Sequence, residues 1–530
     1  MIRLPSRLGA MRLSAPRSYS IFARTPSKKT LPNPKGEPSA APGSGTTGKK
    51  EAFVHDYSVR PTTYVYRMED NAESFTKYPL MTSKKLAKNS TRPRGVRMTA
   101  KDFMDDSLYN PYYGYFSRNV EIFTTDKPFD YTNINDVDDF LNTWTGEYSK
   151  YAANSPTLTG QTKDTSHSGT FPAQDKDFTS RGSSKQLWHT PTELFKPYYG
   201  EALARYLLVN YKLSLYPYKD LIIYEMGGGN GTLMINILDY IRDTQPEVYE
   251  RTRYRIIEIS DQLAHKQQSS LHTKAAEKGH RSKVEIINKS IFDWKEPVND
   301  PCFFVALEVF DNFAHDIVRY DNRTLQPYQG HVLVDANGDF HEVYTQKLDD
   351  WTKKFLQIRT ESLEEYSPDT RLGFHPLSTP RVYKEMRNLM WPYHSELSDP
   401  EFIPTRYLEF LYILKKYFPQ ARLLSSDFTH LPQTSTSRFA GYNSPVVQTV
   451  LDNQMVTTNT HMVLQGYFDI LFPTDFELAA QLLRHVCGRV PEVSTHQEFL
   501  EQWADLDATT TKTGENPMTS FYRNAAFLTN

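Results

Sequence analysis

Apolar residues along this chain keep two rhythms. Between residues 221 and 307, short continuous apolar runs alternate with stretches of helical spacing. The runs LIIYEM (221–226), YRIIEI (254–259), VEII (284–287) and CFFVAL (302–307) predict strands. After the first run, Met234, Ile237, Leu238 and Ile241 recur at i, i+3, i+4, i+7 and predict a helix. A second helix is expected within 261–278, ending near Gly279. Strands alternating with helices predict an α/β fold with a mostly parallel sheet.

Upstream, residues 98–116 predict a short helix with Phe103, Met104 and Leu108 inward, then an aromatic turn at Pro111–Tyr115. In residues 188–208, Thr190 reads as an N-cap with Glu193 at N3, ahead of apolar Leu194, Phe195, Leu203 and Leu207. Beyond Gly330 the pattern is mixed, with helices over 406–418 and 475–486 and a strand over 421–428. Residues 51–97 are polar and irregular, as expected of a surface arm. Residues 125–186 are rich in Ser, Thr and Asp and read as an inserted loop. The expected organisation is a presequence (1–19), a linker and arm (20–97), and an N-terminal helical region (98–208) holding the insertion. A nucleotide-binding core (209–345) and a C-terminal subdomain (346–530) follow.

Composition narrows the function. The chain has 530 residues and a formal net charge of −2, so no basic excess drives binding to nucleic acid. Its two cysteines, Cys302 and Cys487, supply neither a disulfide framework nor a thiolate metal site. No H-E-x-x-H follows His341–Glu342, so no metal is expected. No apolar run approaches the length of a transmembrane helix. The first 36 residues carry eight Lys and Arg residues and no acid. That is the composition of a mitochondrial transit peptide, and Arg17 suggests processing between Tyr19 and Ser20. A disordered basic tail would look much the same. GSGTTGKK (43–50) nearly matches a phosphate loop, but it lacks the final hydroxyl and no strand precedes it.

The candidate chemistry sits at 225–231. Glu225 precedes Gly227, Gly229 and Gly231, and Glu258 ends the next strand. A dinucleotide fingerprint would be G-x-G-x-x-G with its acid about 20 residues on. E-x-G-x-G-x-G, with a second acid closing the second strand, is instead the pattern of class I S-adenosylmethionine methyltransferases. In that pattern the glycines admit the methionine part of the cofactor, and the Glu258 carboxylate takes both ribose hydroxyls. The same glycines could serve an ordinary strand–helix turn. Glu308 and Asp311 follow the fourth strand, where such enzymes handle the methyl acceptor, though acids there could equally cap a following helix. Asp293 in SIFDW (290–294) could reach the adenine amine or be a plain loop acid.

Taken in order, five segments resemble the MidA family of mitochondrial and bacterial methyltransferases. They are FMDDSLYNPYYGYF, HTPTELFKPYYGEALA, YEMGGGNGTLMINIL, IEISDQLAHKQQ and LEVFDNFAHD, with GYFDILFPTDF (466–476) echoing a later segment. The family includes a protein-arginine methyltransferase that assists respiratory complex I assembly. The resemblance implies a Rossmann-like core with N-terminal helical elements and a smaller C-terminal α+β subdomain. It implies S-adenosyl-L-methionine as cofactor, held by Glu225, Gly227, Gly229, Gly231, Glu258, Ser260 and Asp293. It implies Glu308 and Asp311 as catalytic acids, and a protein substrate, such as a respiratory-complex subunit, in the mitochondrial matrix. The chain departs from the family at Leu307 (Asn in the family), Ala314 (Pro), Asn236 (Asp) and the insertion. These departures leave a second expectation, a scaffold or assembly factor that keeps the fold.

Overall fold

Seven strands form the larger sheet of the protein, a computed structural model. They are β1 (Leu221–Met226), β2 (Thr252–Glu258), β3 (Val284–Asn288), β4 (Cys302–Leu307), β5 (Ala421–Phe428), β6 (Glu492–Thr495) and β7 (Ala525–Thr529). The structure describes residues 66–118, 120–154, 186–259, 273–362, 375–380, 382–383, 385–386, 397–431, 441–451, 454–458 and 460–530. The expected presequence, most of the linker, Ser260 and most of the helix expected within 261–278 lie outside these residues.

Across the sheet the order is β6-β7-β5-β4-β1-β2-β3. β1 to β5 run parallel, and β7 runs antiparallel to both its neighbours. Parallel strands covered on both faces read as unbroken apolar runs, and every residue of β1 is buried. Alternate β1 residues divide between two cores. The longer helices include α1 (Ala100–Tyr109), α2 (Val137–Asn154), α3 (Tyr198–Ser214), α4 (Thr232–Thr244), α5 (Thr405–Tyr417) and α6 (Phe476–Cys487). Leu221 and Ile223 pack under α3 and α4, while Ile222 and Tyr224 face α5 and α6. The chain order reverses on either side of β1, between β2 and β4, where open α/β sheets bind ligands.

Residues 316–345, expected within the nucleotide core, instead build a second sheet. Its strands Asp316–Tyr320, Pro327–Val334 and Phe340–Thr345 pair antiparallel in sequence. Val96–Thr99 and Tyr66–Arg67 join it, so part of the expected surface arm is structural. Met98 and Leu86 are fully buried there. A third, three-stranded sheet contains Asp469–Leu471.

The expected insertion also holds structure. α2 spans 18 residues, with Phe140 and Trp144 as its buried positions. The Phe140 ring lies 5.8 Å from Phe195 and that of Trp144 5.4 Å from Phe521. Two aromatics bind a largely polar helix to the core, which explains why its composition reads as a loop. Phe140→Ala should cost about 3–5 kcal/mol of unfolding free energy, the usual range for emptying a buried aromatic site. Urea denaturation checks this; a loss below about 1 kcal/mol would mean that the helix is not anchored there.

Candidate functional site

At the carboxyl edge of the sheet, β1 gives way to the glycine turn. Gly227 and Gly229 adopt φ of 77° and 49°, which side chains rarely tolerate. A Cβ on Gly227 would stand 2.9 Å from Val309 Cγ1, and one on Gly229 would stand 3.1 Å from Ile122 Cδ1. The turn is therefore pressed between the turn after β4 and the Val120–Ile122 strand. Gly231, at φ 74°, caps α4 without any side-chain hydrogen bond. As a glycine it has no side chain to cap the first-turn amides of α4.

Glu193 clasps this turn from outside. Its Oε1 accepts from Asn230 Nδ2 at 3.0 Å and from Thr232 Oγ1 at 2.7 Å. Its Oε2 accepts from Thr124 Oγ1 at 2.7 Å, and Lys196 Nζ lies 3.4 Å away. The expected cap is present, with Thr190 accepting from the Glu193 amide. The Glu193 carboxylate, however, reaches the glycine turn, a role that helix-capping rules could not reveal.

The register lines up the acids. Met226 pairs with Ile257 on one side and Ala306 on the other, and Leu307 pairs with Ser426. Gly227, Glu258, Glu308 and Asp427 thus follow one another along the edge. Glu258 is buried, and its Oε1 accepts from the Ile259 amide at 3.1 Å. Glu225 lies one step back within β1, where Tyr254 donates to it at 2.9 Å. Burial raises its pKa to about 7, the Tyr254 hydrogen bond opposes the rise, and the Glu258 charge adds to it. Asp293 stands apart at the surface, in a short turn (Ile291–Asp293) and paired with Lys84.

The acids after β4 are the most unusual. Glu308 has φ 52°, a left-handed backbone without the glycine that usually permits it. Its amide donates to the Ser426 carbonyl at 2.8 Å, which holds it in that turn. No helix follows, so Glu308 and Asp311 cap none. Glu308 is half-buried, and desolvation together with the Asp427 charge raises its pKa. Asp311 is buried and shifts the same way, through burial and then the charges of Asp427, Asp469 and Glu308.

Asp427 and Asp469 escaped the sequence reading as functional candidates. Asp427 looked like one residue of a predicted strand, while Asp469 sat unweighed in GYFDILFPTDF. Asp427 Oδ2 accepts from the amides of Phe310 (2.8 Å) and Asp311 (3.1 Å), bracing the turn after β4. Asp469 Oδ1 accepts from Asn312 Nδ2 at 3.0 Å. Burial pushes both to about 7. Among the described residues, no group of three or more His, Cys, Asp or Glu is placed to hold a metal.

A family model described as "putative S-adenosyl-L-methionine-dependent methyltransferase" matches residues 202–495, more than half of the chain. A Schizosaccharomyces pombe relative, named "Protein arginine methyltransferase NDUFAF7 homolog, mitochondrial", is 25% identical over 317 residues. That match covers 58% of this chain and 64% of the relative, just under two thirds of its length. A Saccharomyces cerevisiae protein of the same name is 22% identical over 344 residues, covering 61% of this chain and 74% of its own. Among solved structures, a Burkholderia thailandensis superfamily member bound to S-adenosyl-homocysteine is 14% identical, with a TM-score of 0.48. It covers 84% of this chain and 92% of its own.

Glu193→Gln removes the charge that gathers Asn230, Thr232 and Lys196 while keeping the volume. It should weaken S-adenosylmethionine binding about tenfold, near 1.4 kcal/mol, without altering the circular dichroism spectrum. Unchanged affinity by titration calorimetry would show that the clasp does not shape the turn.

A pH dependence follows from Asp469. Its raised pKa means that the folded state holds a proton which the unfolded state gives up near pH 4. Stability from this group is therefore greatest below pH 4 and is lost as pH rises through about 7. Asp469→Asn should raise the melting temperature at pH 8 and change it little at pH 4. An equal effect at both pH values would contradict the shift.

Proposed function

The chain belongs to the MidA-type family of S-adenosyl-L-methionine-dependent methyltransferases, and from that footing we propose that it methylates an arginine of a mitochondrial protein. S-adenosyl-L-methionine is the cofactor, and the residues suit it. The cradle between Val309 and Ile122 is one that added Cβ atoms would fill, as a ligand bound against backbone requires. In this reading the sheet is the Rossmann-like core of a class I enzyme, a view supported by its strand order and single antiparallel strand.

Gly227, Gly229 and Gly231 would bring backbone against the methionine part of the cofactor. Glu258 would accept the ribose hydroxyls, and Glu225 would steady β1 against β2 through Tyr254. Asp293 and Ser260 remain the candidates for the adenine side and the ribose strand. Once bound, the cofactor supplies a methyl group on a sulfonium, open to in-line attack. Glu308 would orient the acceptor nitrogen and take up its proton as the new bond forms. Asp427 would brace the turn that carries Glu308 and Asp311. The observation that carries this reading is the alignment of the glycine turn, Glu258 and strained Glu308 along one sheet edge. Relatives named as arginine methyltransferases support the acceptor, and their mitochondrial names and the acid-free residues 1–36 support a matrix address. A role in complex I assembly is the finer proposal.

Leu307 and Ala314 favour a second reading, an assembly scaffold. Both pack into apolar cores and offer no polar group to an acceptor. Two variants separate the readings. Glu308→Gln should bind S-adenosylmethionine normally and lose turnover by roughly 10²-fold or more. Gly229→Val should lose cofactor binding while retaining its circular dichroism spectrum. Labelled methyl transfer to mitochondrial proteins and rescue of deficient cells are the readouts. Normal transfer by Glu308→Gln removes Glu308 from catalysis. Rescue by Gly229→Val makes the scaffold the working function.

A further inference from the structure

We propose that Asp311 and Asp469 form a clamp for the cationic side chain of the methyl acceptor, and that the cation they select is a guanidinium. The inference rests on the arginine reading above and deepens it.

Four acids meet on the acceptor side, and their hydrogen bonds divide them. Both oxygens of Asp427 are occupied, Oδ2 by the amides of Phe310 and Asp311 and Oδ1 by that of Phe428 at 2.7 Å. Asp427 is therefore a brace. Asp469 uses Oδ1 for Asn312 and for the Ile470 amide at 2.9 Å, and its Oδ2 is buried with no partner. Asp311 Oδ1 is buried with no partner as well. Asp469 is 0% exposed and Asp311 4%, so bulk solvent reaches neither orphaned oxygen.

These two oxygens come from different parts of the fold, the turn after β4 and the three-stranded sheet. Two links bring them together. Phe472 N donates to the Asp311 carbonyl at 2.7 Å, and Asn312 donates to Asp469. Each acid's charge is felt nearby. Asp469 acts on Asp311, and both act on the Tyr109 hydroxyl, which donates to the Asn312 carbonyl at 3.2 Å. Glu258 also acts on Tyr109, and Glu308 on Asp311, so the fields of the cofactor acid and the candidate catalytic acid overlap on this side of the fold.

Leaving a buried acceptor unpaired is costly, and two like charges together are costlier. Among the described residues, no Lys or Arg forms an ion pair with Asp311 or Asp469. A guanidinium answers both costs. It is a flat cation with five fixed donors that can reach acceptors on two elements at once. An ammonium is a compact, strongly hydrated charge and gives up more hydration on entering so closed a site.

The test uses the full chain saturated with S-adenosyl-homocysteine and three small probes: ethylguanidinium, ethylammonium and neutral ethylurea. Ethylguanidinium should raise the melting temperature saturably and ethylurea should not. Asp311→Asn and Asp469→Asn should each weaken the ethylguanidinium effect by about tenfold or more and leave S-adenosyl-homocysteine affinity unchanged. Because Asp469→Asn should melt higher than the parent at pH 8, a lost response would not reflect unfolding. No saturable response in the parent, or an equal response in both variants, overturns the clamp. Ethylammonium binding tighter than ethylguanidinium overturns the choice of guanidinium and the arginine reading with it. Arginine labelling of mitochondrial proteins that survives both substitutions overturns the clamp alone.

Discussion

The register of three parallel strands governs this molecule. β1 lies between β2 and β4, and its last residue, Met226, pairs with Ile257 and Ala306. The glycine turn opens directly after that line, and Glu258 and Glu308 follow within two residues of it. A slip of one position would turn Glu258 and Glu308 to the opposite faces of the sheet. The interior fixes the register, because alternate residues of β1 fill two separate apolar cores. Burial of Ile223 on one face and Tyr224 on the other thus sets where the glycine turn begins and which acids meet it.

The same edge concentrates electrostatic cost. Glu225, Glu308, Asp311, Asp427 and Asp469 all have raised pKa values, with burial as the first cause in each. One buried acid elsewhere in the fold is balanced instead. Glu401 is fully buried, yet Arg359 at 2.9 Å, with Tyr320 and His375, holds it down to about 2. The contrast separates structural charge from candidate functional charge. Where the fold needs an ion pair it supplies both partners; beyond β4 it supplies acids alone. Unbalanced burial of this kind gathers at sites that await a ligand.

Wholly buried strands were the most legible part of the sequence. The predicted bounds 221–226, 302–307 and 421–428 coincide with the observed strands, since nothing polar interrupts an element covered on both faces. Elements with one covered face were harder to read. β6 is an exposed edge, α2 buries only two side chains, and the second sheet takes strands from distant stretches of chain. The cofactor half of the site was visible because its glycine spacing is local. The acceptor half depends on Asp427, 116 positions from its bonded partner Asp311, and on Asp469, 157 positions from Asn312. No local spacing rule joins residues so far apart. Capping rules place Glu193 at N3 behind the Thr190 cap, and only folding shows that its carboxylate reaches Thr232.

The central claim is that cofactor and acceptor meet along one line of strand ends. Hydrogen exchange of the full chain, with and without S-adenosylmethionine, tests it most directly. The account predicts slowed exchange in the amides of 226–233 and 257–259, a smaller slowing at 308–311 through the Val309 contact, and none in the second sheet. Slowing confined to the second sheet, or unchanged exchange at 226–233 under saturating cofactor, would contradict it.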